Sequence, residues 1–153
     1  MKKIIPLLLV ALFATTVVSC SKDNEDLILG TWKITETSRT VYNHPIESHN
    51  RTTTEPTTEG YVRTLTFNED KTCVAYYKYT DEDGVDEDSD TFTYSINGDE
   101  LSIFQGYMGV RYHIDKLDSE NLVLSMTEEH TYHYDIGGST IYYEKNSIIM
   151  KKI

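Results

Sequence analysis

The sequence predicts an all-β protein, and three observations support this fold class. Residues that favour strands (Thr, Tyr, Ile, Val and Phe) dominate the chain after residue 26, and Tyr alone occurs 12 times. Turn residues such as Asn97-Gly98 and Gly137-Gly138 divide these runs at short intervals. The same region has little helical periodicity. Short turns make consecutive strands antiparallel neighbours, so the pattern predicts an eight-stranded antiparallel up-and-down barrel, with an open β-sandwich as the alternative.

The strands follow one another between recognisable turns. The first begins near Ile28, and from Trp32 its apolar and polar residues alternate, as in a strand with one buried face. We expect a long loop at Asn43–Glu59 and an acidic hairpin loop at Asp81–Asp90. The other predicted strands cover residues 61–67, 72–80, 91–96, 101–104, 110–117, 122–134 and 140–151.

Residues 1–19 have the layout of a secretory signal peptide. Lys2 and Lys3 precede an apolar run that is too short for a good transmembrane helix. The run ends in Val17-Val18-Ser19-Cys20, which resembles a bacterial lipobox. The resemblance implies cleavage before Cys20 and acylation of this cysteine, for example by palmitate, so that acyl chains anchor the protein in a membrane. An ordinary signal peptide cleaved near a cysteine is the alternative.

Residues 20–26 are expected to form the acylated cysteine and a solvated acidic tether. The segment Ser21–Asp26 resembles the export signal of surface lipoproteins of Bacteroidetes, which implies the outer membrane of a Gram-negative bacterium and exposure at the cell surface. A plain spacer is the alternative. The net charge of -11 argues against nucleic acid as a partner, because phosphate binding needs a clustered basic surface.

Residues 27–153 resemble the lipocalin-like domains of Bacteroidetes lipoproteins. Gly30-Thr31-Trp32 is similar to the Gly-x-Trp motif of the first lipocalin strand. Further matches to the strand-and-turn patterns of these domains lie at residues 65–72, 94–103, 114–117 and 122–124. The resemblance implies a lipocalin-like barrel with Gly30 and Trp32 at its floor. In lipocalins a basic residue of the last strand covers this Trp, and the candidates here are Lys145, Lys151 and Lys152.

Catalytic and metal-binding patterns have little support. The chain contains no Gly-x-Ser-x-Gly elbow, Gly-rich phosphate loop or His-Glu-x-x-His motif, so we expect neither an enzyme nor a cofactor. His130 and His133 would lie on opposite faces of a strand, and Cys73 is expected to be a small buried side chain. The acidic loop departs from EF-hand spacing and offers only a weak calcium candidate, whose ligands would be Asp81, Asp83, Asp86 and Asp88.

Tyrosines on the predicted strands are the candidate ligand contacts. Tyr combines a large apolar body with a hydroxyl group, so it can line a pocket or simply fill a core. The predicted ligand-binding residues are Tyr77, Tyr79, Tyr94, Tyr112, Tyr132 and Tyr142. The expected function is non-catalytic binding of a small, partly apolar ligand in the barrel. The alternative is an accessory protein with a side-chain-filled barrel that docks a protein or glycan partner through its long loops.

Overall fold

The computed structural model describes residues 23–153. The predicted signal peptide, Cys20 and the start of the tether lie outside the described residues. The described chain begins with a short helix, α1 (Asn24–Leu27), and a 3₁₀ turn occupies Glu47–His49. Its strands are β1 (Gly30–Tyr42), β2 (Thr52–Pro56), β3 (Tyr61–Phe67), β4 (Thr72–Asp81), β5 (Gly84–Asn97), β6 (Glu100–Gln105), β7 (Met108–Leu117), β8 (Asn121–His133) and β9 (Ser139–Lys152). In this part of the chain, no helix is long and apolar enough to cross a membrane.

Eight of the strands form a closed antiparallel barrel. The order around it is β1-β3-β4-β5-β6-β7-β8-β9, and β9 returns to pair with β1 from Trp32 to Tyr42. Closure pairs β1 with β9, so neither of these two strands is left as a free edge of the barrel. The predicted eight-stranded up-and-down barrel is therefore confirmed, and the open sandwich is wrong.

The predicted loop at Asn43–Glu59 contains a ninth strand. β2 pairs antiparallel with the Glu36–Thr40 part of β1, whereas β3 pairs only with Gly30–Lys33. β1 thus separates from β3 after Lys33, and β2 occupies the edge that this separation opens. Every residue of β2 is exposed, so its sequence carries no apolar alternation. Backbone pairing holds this strand, and for Thr52–Pro56 the loop prediction was wrong.

The acidic segment Asp81–Asp90 is also a strand pair rather than a loop. β4 continues to Asp81 and β5 begins at Gly84, which leaves a two-residue turn at Glu82-Asp83. The Asp81 carboxylate accepts hydrogen bonds from the backbone N–H groups of Asp83 and Gly84, at 2.9 and 3.1 Å. A continuous backbone ladder therefore offsets the poor strand propensity of the acidic residues. Their charge also protects an exposed strand edge from association.

The floor of the barrel is the best-packed region of the described chain. Its fully buried side chains include Trp32, Phe67, Leu101, Leu122 and Met150. The indole N–H of Trp32 donates a 2.6 Å hydrogen bond to the carbonyl of Ile28. The Lys152 ammonium lies 5.0 Å from the Trp32 ring centroid, so this residue provides the cation that the resemblance implied.

Helix α1 is docked onto the outside of the floor. The Asn24 side chain donates to the carbonyl of Gly98 in the β5–β6 turn (2.9 Å), and Glu25 pairs with Lys71 of the β3–β4 turn (2.8 Å). The sequence places Asn24–Asp26 in a solvated tether, but in the structure these residues are helical. The chain therefore leaves the domain from its floor end.

Candidate ligand-binding site

The interior of the barrel holds a cavity of about 830 Å³ above the floor. All eight barrel strands contribute to its wall, which is mostly apolar. The apolar and glycine residues of the lining are Ile34, Leu65, Cys73, Ala75, Phe92, Ile103, Tyr107, Met108, Gly109, Val110, Tyr112, Leu124 and Ile148. The polar ones are Arg63 and Gln105. The volume lies within the range of about 300–1,000 Å³ that is typical of small-molecule sites.

The cavity exists because small side chains stand at inward positions above the floor. Cys73 and Ala75 are alternate residues of β4 and both face the lumen. Ala75 lies two residues after Cys73, further from the floor, and it pairs with Leu65 of β3. At this position β4 contributes only a methyl group to the wall. On β4, therefore, no large side chain enters the lumen at this level, and space remains between the surrounding walls.

The mouth of the cavity lies at the end of the barrel opposite α1. Met108 begins β7 at this end, and its side chain and that of Tyr107 line the cavity while being largely exposed. Beside them, Gly109 lies under the ring of Phe104, its cross-strand partner on β6. A Cβ at Gly109 would meet Phe104 Cδ1 at 2.5 Å. Glycine at this position lets the two strands approach closely at the rim.

Comparison with known proteins gives the family. Residues 28–124 match the family model described as a lipocalin-like domain. The chain belongs to this family. The lipocalin-like fold typically binds small hydrophobic ligands in its barrel, and its members are generally non-enzymatic binding proteins.

Two solved structures are similar to this lipocalin-like domain at low identity. One is a deswapped triple mutant of bovine odorant-binding protein, with 12% identity, a TM-score of 0.39 and coverage of 82% of this chain and 74% of that chain. The other is a complex of bovine odorant-binding protein with a selenium-containing odorant, with 13% identity, a TM-score of 0.41 and coverage of 87% and 74%. No curated protein matches the chain.

Besides Tyr107 at the mouth, three ionisable side chains of the described barrel line the cavity. Burial raises the pKa of the Cys73 thiol to about 12, so this thiol is protonated and a poor nucleophile at neutral pH. Burial also raises the pKa of Tyr112, and the nearby charge of Arg63 offsets part of that effect. The Tyr112 hydroxyl is therefore neutral and can donate a hydrogen bond. The third group, Arg63, is the cation of the cavity wall.

The six predicted ligand-contact tyrosines occupy four different environments. Tyr112 lines the cavity. Tyr94 is only 3% exposed and belongs to the floor, where its hydroxyl donates to the carbonyl of Asn68 and its ring packs edge-on against Phe67. Tyr77 and Tyr79 are exposed at the mouth, on the same face of β4 as Ala75.

The remaining two, Tyr132 and Tyr142, belong to a histidine–tyrosine cluster that also contains His44 and His130. The ring of Tyr142 stacks on its cross-strand partner His130 at 5.1 Å and meets His44 edge-on at 4.7 Å. Tyr132 approaches His44 at 5.2 Å. The sequence did not indicate this cluster, because His44 is brought to the β8–β9 hairpin from a loop more than eighty residues away.

The residues of the calcium candidate do not form a compact site. Asp81 closes the β4–β5 turn, whereas Asp86 and Asp88 are exposed along β5 beyond it. Alternate residues of a strand are separated by about 7 Å, which is too far for carboxylates to share one cation without bending the strand. Within residues 23–153, no group of three or more His, Cys, Asp or Glu side chains is arranged to hold a metal ion.

Proposed function

We propose that this lipocalin-like domain binds a small, largely apolar ligand in its barrel cavity. The open cavity of about 830 Å³ is the observation that carries the proposal. Water in such an apolar space has few hydrogen-bond partners, and a ligand that replaces it gains about 25 cal/mol for each Å² of buried apolar surface. A filled barrel would have favoured the alternative of an accessory protein that docks partners through its loops. The cavity therefore supports ligand binding over docking.

The proposal includes an outer-membrane lipoprotein anchored through acylated Cys20. The lipobox-like sequence Val17–Cys20 supports the anchor, and the acidic segment that follows supports the outer face. The position of α1 adds a geometric argument, because the chain that leads to Cys20 leaves from the floor of the barrel. The mouth would then point away from the membrane, and the ligand would enter from the aqueous side.

Filling the cavity tests ligand binding. The variant Ala75→Phe places a ring in the lumen, whereas Val74→Phe places the same ring on the outer face of the same strand. We expect N-phenyl-1-naphthylamine, a neutral fluorescent probe, to bind the wild type. Ala75→Phe should weaken its binding at least tenfold, and Val74→Phe should leave it unchanged. Equal binding by all three proteins would place the probe elsewhere and contradict the proposal, provided that far-UV circular dichroism shows Ala75→Phe to be folded.

The anchor is tested separately in cells. Replacement of Cys20 by Ala should abolish labelling by a palmitate analogue and release the protein from the membrane fraction. Label that survives the substitution would refute acylation at Cys20 and leave the ligand-binding proposal unaffected.

A further inference from the structure

Among residues 23–153, Arg63 is the single charged residue in the lining of the barrel cavity. It lies on β3, where alternate residues Arg63 and Leu65 both face the lumen. Arg63 is itself exposed, and its guanidinium carries a positive charge at any physiological pH. A ligand that enters the lumen therefore meets a permanent cation at this position.

The structure provides no carboxylate partner for Arg63 among residues 23–153. Arg39 pairs with Glu144 at 2.5 Å and Arg111 approaches Glu100 at 4.0 Å, but Arg63 takes part in neither an ion pair nor a side-chain hydrogen bond within the described chain. The protein as a whole has 25 acidic residues against 14 basic ones. Although acidic residues are in excess, none of the described ones pairs with Arg63. Its guanidinium is therefore available to an anionic ligand.

The polar and apolar parts of the cavity are separated along the barrel axis. Arg63 pairs with Tyr77 near the open ends of β3 and β4, and Gln105 is the last residue of β6 at the same end. Deeper positions are occupied by Leu65, Cys73 and other apolar side chains. β3 and β7 are four strands apart in a closed ring of eight, and the charge of Arg63 is felt at Tyr112 on β7. The exposed Arg63 therefore lines the cavity at its mouth, with the apolar wall below it.

We infer that the cavity takes an anionic amphiphile, with a carboxylate head at Arg63 and a hydrocarbon tail directed towards the floor. Arginine suits this head because its planar fork can donate two parallel hydrogen bonds to one carboxylate. The Tyr112 hydroxyl and the Gln105 amide are further polar groups of the same wall. The inference rests on the proposed function, since it names the class of ligand for the same cavity.

Carboxylates at the rim of the barrel favour amphiphilic anions over small hydrophilic ones. Asp86, Asp88 and Asp90 lie on the same face of β5 as Phe92, above the cavity. They repel small hydrophilic anions, which have no apolar tail to offset the repulsion. Acetate or inorganic phosphate should therefore not bind measurably, whereas a long-chain carboxylate gains from burial of its tail.

A pair of ligands that differ only in charge tests the inference. Myristate and 1-tetradecanol have the same chain length, and each is titrated against the domain loaded with N-phenyl-1-naphthylamine. We expect the wild type to prefer myristate by about tenfold to a hundredfold, the value of one charge-assisted hydrogen-bonded pair. Arg63→Gln should lose this preference and keep the affinity for tetradecanol. Arg111→Gln, on the outer face of β7, should behave as the wild type.

The outcomes separate the inference from the proposed function. Equal displacement by myristate and tetradecanol, with no effect of Arg63→Gln, would overturn the anionic ligand while ligand binding itself stands. Failure of the probe and both competitors to bind a folded domain would overturn both. A selective loss of myristate binding in Arg63→Gln, with unchanged tetradecanol binding, would establish Arg63 as the head-group contact.

Discussion

The floor of the barrel offers a sharp test of what holds the domain together, through the substitution Trp32→Phe. Trp32 is fully buried, its indole N–H donates to the Ile28 carbonyl at 2.6 Å, and Lys152 lies over its ring. Phe keeps an aromatic ring facing the Lys152 ammonium but has no N–H donor. The substitution therefore removes the hydrogen bond and part of the ring volume while leaving most of the cation–π contact in place.

The expected loss of stability has two parts. Loss of the donor to a carbonyl in the buried floor costs about 1–3 kcal/mol. The smaller ring leaves a void of about 40 Å³, which at about 24 cal/mol per Å³ adds about 1 kcal/mol. We therefore expect Trp32→Phe to lower the free energy of unfolding by about 2–4 kcal/mol. For a domain of this size, that corresponds to a fall in Tm of about 10 °C.

The assay is urea unfolding followed by far-UV circular dichroism, because Trp32 is the only tryptophan and its fluorescence is lost in the variant. Lys152→Met is the matched control: it removes the cation and keeps an aliphatic side chain, so it should cost no more than about 1 kcal/mol. Trp32→Phe should thus be at least twice as destabilising as Lys152→Met. A loss below 1 kcal/mol for Trp32→Phe would refute the argument that the hydrogen bond from the indole N–H to Ile28 stabilises the floor.

Two further predictions concern the rim and the turns. Gly109→Ala should lower the free energy of unfolding in urea by about 1–3 kcal/mol, because its Cβ would lie 2.5 Å from Phe104 Cδ1. Adding Phe104→Leu should recover most of this loss. If Gly109→Ala alone had no effect, the close approach of Gly109 to Phe104 would be contradicted. The backbone N–H of Glu120, with further donors from Asn121, holds the pKa of the Asp118 carboxyl well below its ordinary value. The unfolded state therefore binds more protons below about pH 4, and stability falls as the pH falls through that value. Between pH 5 and pH 2, the free energy of unfolding measured in urea should fall less steeply for Asp118→Asn than for the wild type. Parallel curves for the two proteins would show that Asp118 does not contribute to the acid sensitivity.

Much of the fold could be predicted because turn chemistry and alternation are local properties. The turn predicted at Asn97-Gly98 falls between β5, which ends at Asn97, and β6, which begins at Glu100, and Trp32 lies at the floor. The predictions were wrong in segments that have neither turn residues nor apolar alternation to indicate their structure. β2 and the far half of the β4–β5 hairpin are exposed and polar, so they carry no apolar alternation, and only backbone pairing to a neighbouring strand defines them.

The candidate site was less predictable than the fold. Of the six tyrosines proposed as ligand contacts, only Tyr112 lines the cavity of the described barrel. Tyr suits a core, a rim or a pocket equally well, and the face that it presents depends on strand register, which a one-residue slip inverts. β1 contains such a shift between Ile34 and Glu36 in its pairing with β9. Arg63 was not singled out at all, because a lone arginine in a strand normally reads as a solvent-facing residue.

The sequence by itself determined the eight barrel strands and the tight turns between them, since these depend on neighbours a few positions away, and the family resemblance placed Gly30 and Trp32 at the floor. Whether the barrel is filled or hollow was decided by the tertiary structure. Closure of β1 onto β9 brings Ala75, Tyr112 and Arg63 around one lumen, although they come from three different strands. The volume of the cavity depends on the sizes of the inward-facing side chains of all eight strands together. It therefore cannot be predicted from any single segment of the sequence.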